Sequence, residues 1–228
     1  MEHYLKAEPF PHCIIDNFWD EEELSKAVNE LENLPEHVWY GNLNTSSNEC
    51  EVQRKKMCLS LPEYLEGYAP TLQKIMIEMN SPKIVQMLEN LTGIKGLITD
   101  PQNYGGGLHR VRNEGKLSIH ADFNVHPITK NYRRINALLY LNKNWYFNGD
   151  LELWKSDMSD CVKKISPIFN RLVVFTITDN ALHGHPEKLI CPPERSRFSL
   201  ATYYYTSSAD NETAPHVTIW YQRRGLGY

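Results

Sequence analysis

Residues 116–125 read K-L-S-I-H-A-D-F-N-V. Leu117, Ile119, Phe123 and Val125 alternate with Ser118, His120, Asp122 and Asn124, and that period of two predicts a β-strand. Residues i and i+2 of a strand share a face, so His120 and Asp122 point the same way. An imidazole and a carboxylate side by side on a rigid strand are two of the three ligands of a 2-His-1-carboxylate iron site. A salt-bridged surface pair has the same spelling, so the rest of the chain must supply the third ligand.

Downstream, the apolar run R-L-V-V-F-T-I-T (171–178) reads as a buried strand, and D-N-A-L-H-G-H-P (179–186) follows it as a turn. His183 and His185 are both candidates to close the triad. Next comes R-F-S-L-A-T-Y-Y-Y (197–205), in which Arg197 and Ser199 are again i and i+2. An arginine heading an apolar, aromatic strand is costly to bury unless it meets an anion. Its planar fork suits bidentate capture of a carboxylate, with the Ser199 hydroxyl as a second donor. A keto acid that chelates iron through its 1-carboxylate and 2-oxo group needs such a cation for its far carboxylate. Tyr203 and Tyr205 share the Arg197 face and are candidates to line the same pocket.

The 228 residues fit one domain, 1–228, with a helical part over about 1–100 and a β core over about 101–228. A net charge of −4 argues against nucleic acid held by bulk charge, and Arg133-Arg134 and Arg223-Arg224 read as solvated pairs. No apolar run approaches the length of a membrane span, and the first residues lack the pattern of a secretory signal. Five cysteines, odd in number and without Cys-x-x-Cys spacing, suit free thiols in a reducing compartment, so the expected location is cytoplasmic.

Asp20 to Glu23 has the form of a capping box, followed by Leu24, Ala27, Val28 and Leu31 at helical spacing. A second helix is expected over about 69–79. A third has Ser81 as N-cap, Pro82 at its first position and Gly93 as its stop. Residues 41–56 are polar and aperiodic and read as an exposed loop or a pair of short edge strands. Tyr104-Gly105-Gly106-Gly107 lacks the spacing of a phosphate loop. From about 108 onward short strands succeed one another without helices, at 108–113, 116–125, 134–142, 150–155, 162–167, 171–178, 197–206 and 216–221. Helices first and strands later predict an α+β chain whose β core is a sandwich, jelly roll or barrel.

Taken together, H-A-D (120–122), R-I-N-A-L-L-Y-L-N-K-N-W (134–145), N-G-D-L-E-L-W (148–154), I-S-P-I-F-N-R-L-V-V-F (165–175), H-G-H-P (183–186) and R-F-S-L-A-T-Y-Y-Y (197–205) resemble the iron(II)- and 2-oxoglutarate-dependent dioxygenases, in their prolyl 4-hydroxylase-like branch. The resemblance covers about 104–206. It implies a double-stranded β-helix (jelly roll, cupin-like) with the N-terminal helices packed on the outer sheet. It implies His120, Asp122 and His183 as the catalytic metal ligands, with His185 the alternative to His183. It further implies Arg197, Ser199 and Tyr140 as the 2-oxoglutarate residues, with Arg195 a poorer match. Implied cofactors are Fe(II), 2-oxoglutarate and O2, with ascorbate a further candidate. The implied activity is hydroxylation of an unactivated C–H, on a peptidyl proline or on a free amino acid or other small molecule. Leu138, Leu151, Leu153 and Phe175 are candidate hydrophobic walls. Two positions depart from the pattern: Gly149-Asp150 where relatives carry Gly-Gly, and Arg110 or Arg112 where several carry tyrosine. A silent β-helix binding module and a zinc hydrolase compete with this reading; the intact triad with Arg197 argues against the first, and in the second Arg197 has no task.

Overall fold

The computed structural model describes residues 1–41, 52–209 and 214–221. Cys50, most of the 41–56 stretch and Arg223-Arg224 lie outside them. The helices are α1 (Glu2–Leu5), α2 (Glu21–Glu32), α3 (Pro70–Glu78) and α4 (Pro82–Thr92). The strands are β1 (His12–Asp16), β2 (Tyr40–Gly41), β3 (Lys56–Leu59), β4 (Ile98–Thr99), β5 (Gly107–Arg112), β6 (Leu117–Ala121) and β7 (Tyr132–Tyr140). They continue with β8 (Leu151–Trp154), β9 (Cys161–Ile165), β10 (Arg171–Thr176), β11 (Leu182–His185), β12 (Ser196–Thr206) and β13 (Ile219–Trp220).

The helix ends follow the residues that predict them. Asp20 accepts a hydrogen bond from the Glu23 amide, but the box is half closed: Glu23 turns to Trp19 Nε1 and to Lys74. Ser81 caps α4, and Gly93 ends it at φ +80°. Helix α3 has Ala69 at its N-cap, which offers no side-chain acceptor. Glu30 of α2 takes that role across the interface, accepting from the amides of Thr71 and Leu72 and from the Thr71 hydroxyl at 2.7–3.0 Å. Glu30→Ala should therefore lower stability by about 1–2 kcal/mol, read as a shift in denaturant midpoint at constant slope. An unchanged midpoint would assign that capping to solvent.

Two antiparallel sheets make the double-stranded β-helix. The larger runs β1-β10-β7-β12-β5-β3-β2, with β4 also on β12; the smaller runs β13-β6-β11-β8-β9. Strand alternation divides the side chains of the larger sheet. Ile135, Ala137, Leu139, Leu172, Val174 and Leu200 face α2–α4 and form the main core with Leu24, Leu72 and Leu88. Phe10, Tyr140, Leu151, Leu153, Val173 and Phe175 pack between the sheets. The first hundred residues are not only helical: they add β1 to one side of the larger sheet, β3 and β2 to the other, and β4 against β12. His183 and His185, expected in a turn, lie on β11, because that segment pairs with both β6 and β8. Among the described residues no helix is long and apolar enough to cross a membrane.

Candidate functional site

Strand register brings the two halves of the proposed triad together. His183 on β11 lies directly opposite His120 on β6, and their rings are 4.4 Å apart between centroids. Asp122 follows one residue after the end of β6. Its Oδ1 is 3.5 Å from His120 Nε2 and its Oδ2 is 3.5 Å from His183 Nε2. One ligand atom from each of the three falls within 4.8 Å of the other two, and all three residues are buried. Each imidazole is oriented by its own strand: Nδ1 of His120 bonds the Ser118 carbonyl and Nδ1 of His183 the Ala181 carbonyl, both at 2.9 Å. That leaves each Nε2 lone pair aimed at the common centre, the tautomer a metal requires. The donor set of two neutral nitrogens and one carboxylate oxygen fits a divalent iron.

The electrostatics support that protonation pattern. Burial pushes the Asp122 carboxyl up, but Arg133 together with His183 and His120 outweighs it and holds the group well below the usual carboxylate range. Burial, reinforced by His120, lowers His183 to about 4. Arg133 is only 2% exposed. Its Nη2 donates to Asp122 Oδ2 at 2.8 Å, and its guanidinium lies 3.4 Å from the centre of the Tyr203 ring. Asn136 donates to the same Oδ2 at 3.3 Å.

A cavity of about 530 Å³ connects this corner to Arg197. Arg197 is 4% exposed; its Nε donates to the Gly149 carbonyl at 2.8 Å and its Nη2 to the Tyr140 hydroxyl at 3.3 Å. Ser199 is directly opposite Tyr140 and lines the same wall. So His120, Asp122, His183, Arg197, Ser199 and Tyr140 all face one cavity. His185 faces it too, away from the triad and toward Arg197. It is 3% exposed and held well below the usual imidazole range, first by burial and then by Arg197. Arg195 turns away to the Lys143 carbonyl.

Several expectations need correction. Arg133 is not a solvated partner of Arg134. A register break in β7–β12 between Tyr204 and Tyr205 sets Tyr205 opposite Arg133 in place of Arg134 and turns Arg133 inward. Arg110 and Arg112 do not line the cavity: both pair with Glu36 on the outer face, and the cavity positions of β5 are His109 and Val111. Leu138 and Leu151 line the cavity, whereas Leu153 and Phe175 belong to the core between the sheets. Tyr203 lines the cavity, whereas Tyr205 packs on His126. Trp220 of β13 is a residue that no motif signalled: it pairs with His120 and lies against its ring at 5.0 Å.

Gly184 separates the two histidines of β11. A Cβ there would lie 2.7 Å from the Ser118 carbonyl oxygen and 2.8 Å from that of Leu117. Both are backbone atoms of or beside β6, so Gly184→Ala must push β11 off β6 and part His183 from His120. Metal affinity should fall by roughly 10–100-fold, as measured by anaerobic Fe(II) titration. Wild-type affinity would show that the strands absorb the methyl.

The model of the 2OG-Fe(II) oxygenase superfamily matches residues 106–205. Prolyl 3-hydroxylase OGFOD1 of Mus musculus is 25% identical over 211 residues, covering 90% of this chain and 34% of that protein. The chain thus spans about a third of that relative's length. Among solved structures, a Pseudomonas putida prolyl-4-hydroxylase superposes with TM-score 0.58 at 16% identity, covering 90% of this chain and 96% of that one. A Trichoplax adhaerens prolyl hydroxylase, solved with a hypoxia inducible factor peptide fragment, gives 0.54 at 19%, covering 85% and 83%. The family match lies over the strands that carry His120, His183 and Arg197 and over Asp122, so residues 106–205 are similar to the 2OG-Fe(II) oxygenase superfamily.

Proposed function

We propose that the protein is an Fe(II)- and 2-oxoglutarate-dependent hydroxylase of an unactivated C–H bond, with peptidyl proline as its substrate class. One observation carries this reading: a metal-fitting triad and an arginine lacking a carboxylate partner among the described residues face each other across a single cavity. Bound Fe(II), with 2-oxoglutarate and O2, supplies the oxidising chemistry. The chain supplies position and a dry wall.

His120, Asp122 and His183 would hold the metal from one side and leave its other positions open. Arg133 and Asn136 both bond Oδ2 of Asp122, which favours coordination through Oδ1. Arg197, with the Tyr140 hydroxyl and Ser199, would receive the far carboxylate of the co-substrate. Tyr140 has its hydroxyl pushed up by burial, so it stays protonated and able to donate. Leu138 and Leu151 keep the intervening wall apolar.

Support for a prolyl peptide comes from the names of the relatives and from the cavity's opening. Tyr40 and Tyr104 are half exposed there, with Phe123 and Trp220 also on the lining. Aromatic faces suit a proline-containing extended segment. The free cysteines Cys13, Cys58, Cys161 and Cys191 suit a reducing compartment such as the cytoplasm, where Fe(II) also persists.

The test is succinate release under air with Fe(II), 2-oxoglutarate and a panel of proline-containing peptides, read beside peptide mass. Succinate that rises with one peptide, and a gain of one oxygen on its proline, is expected. Stimulation by a free amino acid alone would replace the substrate class. No succinate under any condition would end the hydroxylase reading.

A further inference from the structure

The far end of the cavity holds a second cation that the triad and Arg197 leave without a role. On β3, Met57 and Leu59 are buried in the core beneath the helices, so Lys56 and Cys58 face the cavity. Lys56 is directly opposite Val111 on β5, and Val111 is directly opposite Arg197 on β12. Lys56 and Arg197 are therefore in one row, two strand spacings or about 10 Å apart at the backbone, within reach of a common anion between their long side chains. Two histidines complete this wall. His109 is 8% and His185 3% exposed, both line the cavity, and each has a buried ring nitrogen without a hydrogen-bond partner: Nε2 in His109, Nδ1 in His185.

Charge matching distinguishes the cations on this cavity. Arg133 is already paired with Asp122. Neither Lys56 nor Arg197 has a carboxylate within ion-pair distance among the described residues. Two cations and two buried, unpartnered imidazole nitrogens gathered at one end form an environment for a carboxylate. A diacid anchored at the triad would carry its second carboxylate to that end.

We propose that Lys56, with His185 beside it, joins Arg197 in a two-cation clamp on the far carboxylate of the 2-oxo diacid. Selectivity for a diacid over a monoacid then depends on β3, a strand that precedes the 106–205 family match. This inference rests on the hydroxylase reading above, and its test separates the two.

Under anaerobic conditions with Fe(II), the visible charge-transfer absorbance is titrated with 2-oxoglutarate and, in parallel, with 2-oxobutyrate, which has no far carboxylate. Lys56→Met should weaken 2-oxoglutarate binding by about 10–100-fold and leave 2-oxobutyrate unchanged. Lys56→Arg should restore 2-oxoglutarate affinity to within about 3-fold, since the charge is kept. His185→Phe should show the same selectivity with a smaller loss. An unchanged 2-oxoglutarate affinity in Lys56→Met overturns the clamp, and so does an equal loss for both keto acids. A wild-type protein that gives no band with either acid refutes the hydroxylase reading itself.

Discussion

Asp122→Asn is expected to abolish turnover and, separately, to destabilise the metal-free protein by about 3–5 kcal/mol. The two effects have different causes. Loss of a metal-binding carboxylate should cost more than the roughly 10–100-fold attached to removing an outer partner of a ligand. The stability effect comes from Arg133, which is buried against Tyr203 and Phe123 and has Asp122 as its ion-pair partner at 2.8 Å. Neutralising Asp122 leaves that guanidinium buried and uncompensated. The double variant Asp122→Asn/Arg133→Met should recover most of the stability and none of the turnover. Urea unfolding of the metal-free proteins measures the first quantity, and succinate release the second. An Asp122→Asn midpoint equal to wild type would mean that solvent reaches Arg133.

Arg197→Met should act in the opposite sense. Losing a buried, charge-assisted contact to the co-substrate carboxylate costs roughly 2–5 kcal/mol, or about 30–5,000-fold in 2-oxoglutarate affinity. Without co-substrate, however, Arg197 is a buried cation that bonds the Gly149 carbonyl and the Tyr140 hydroxyl and has no carboxylate partner among the described residues. Replacing such a charge with an apolar chain of similar length removes a desolvation penalty, so the ligand-free variant should lose no more than about 1 kcal/mol and can gain. Calorimetric titration of 2-oxoglutarate beside a thermal melt checks both. Unchanged affinity would remove Arg197 from the co-substrate's contacts. A melt several kcal/mol weaker would make it a structural residue.

Much of this site was legible because its chemistry coincides with strand periodicity. His120 and Asp122, and likewise Arg197 and Ser199, are two residues apart and meet the same cavity. Tyr140 faces it through the same alternation along β7. Alternation also failed in an informative place. It would send Arg133 to the helical face with Ile135, but the break beside Tyr204 and Tyr205 reverses it. Such a reversal depends on two strands being paired out of step, and one strand's residues do not reveal that. His109 was passed over for its neighbours Arg110 and Arg112 because the facing of β5 is set by its pairing with β12 and β3. Lys56 was hidden in a polar stretch without periodicity, since a strand of four residues carries too little pattern to be recognised.

The amino-acid sequence by itself determined the three long helices with their Asp20 and Ser81 caps, most strands of the β core, and the identity of the groups able to bind a metal and a carboxylate. These follow from propensity, alternation and side-chain chemistry, all of which act within a few residues. Only the tertiary structure decided which histidine of His183 and His185 joins His120, which arginine neutralises Asp122, and which cations share the far wall. Those outcomes are fixed by inter-strand register across gaps of up to 141 residues, such as Lys56 to Arg197. A shift of one residue in any pairing turns a ligand from the cavity to the opposite face.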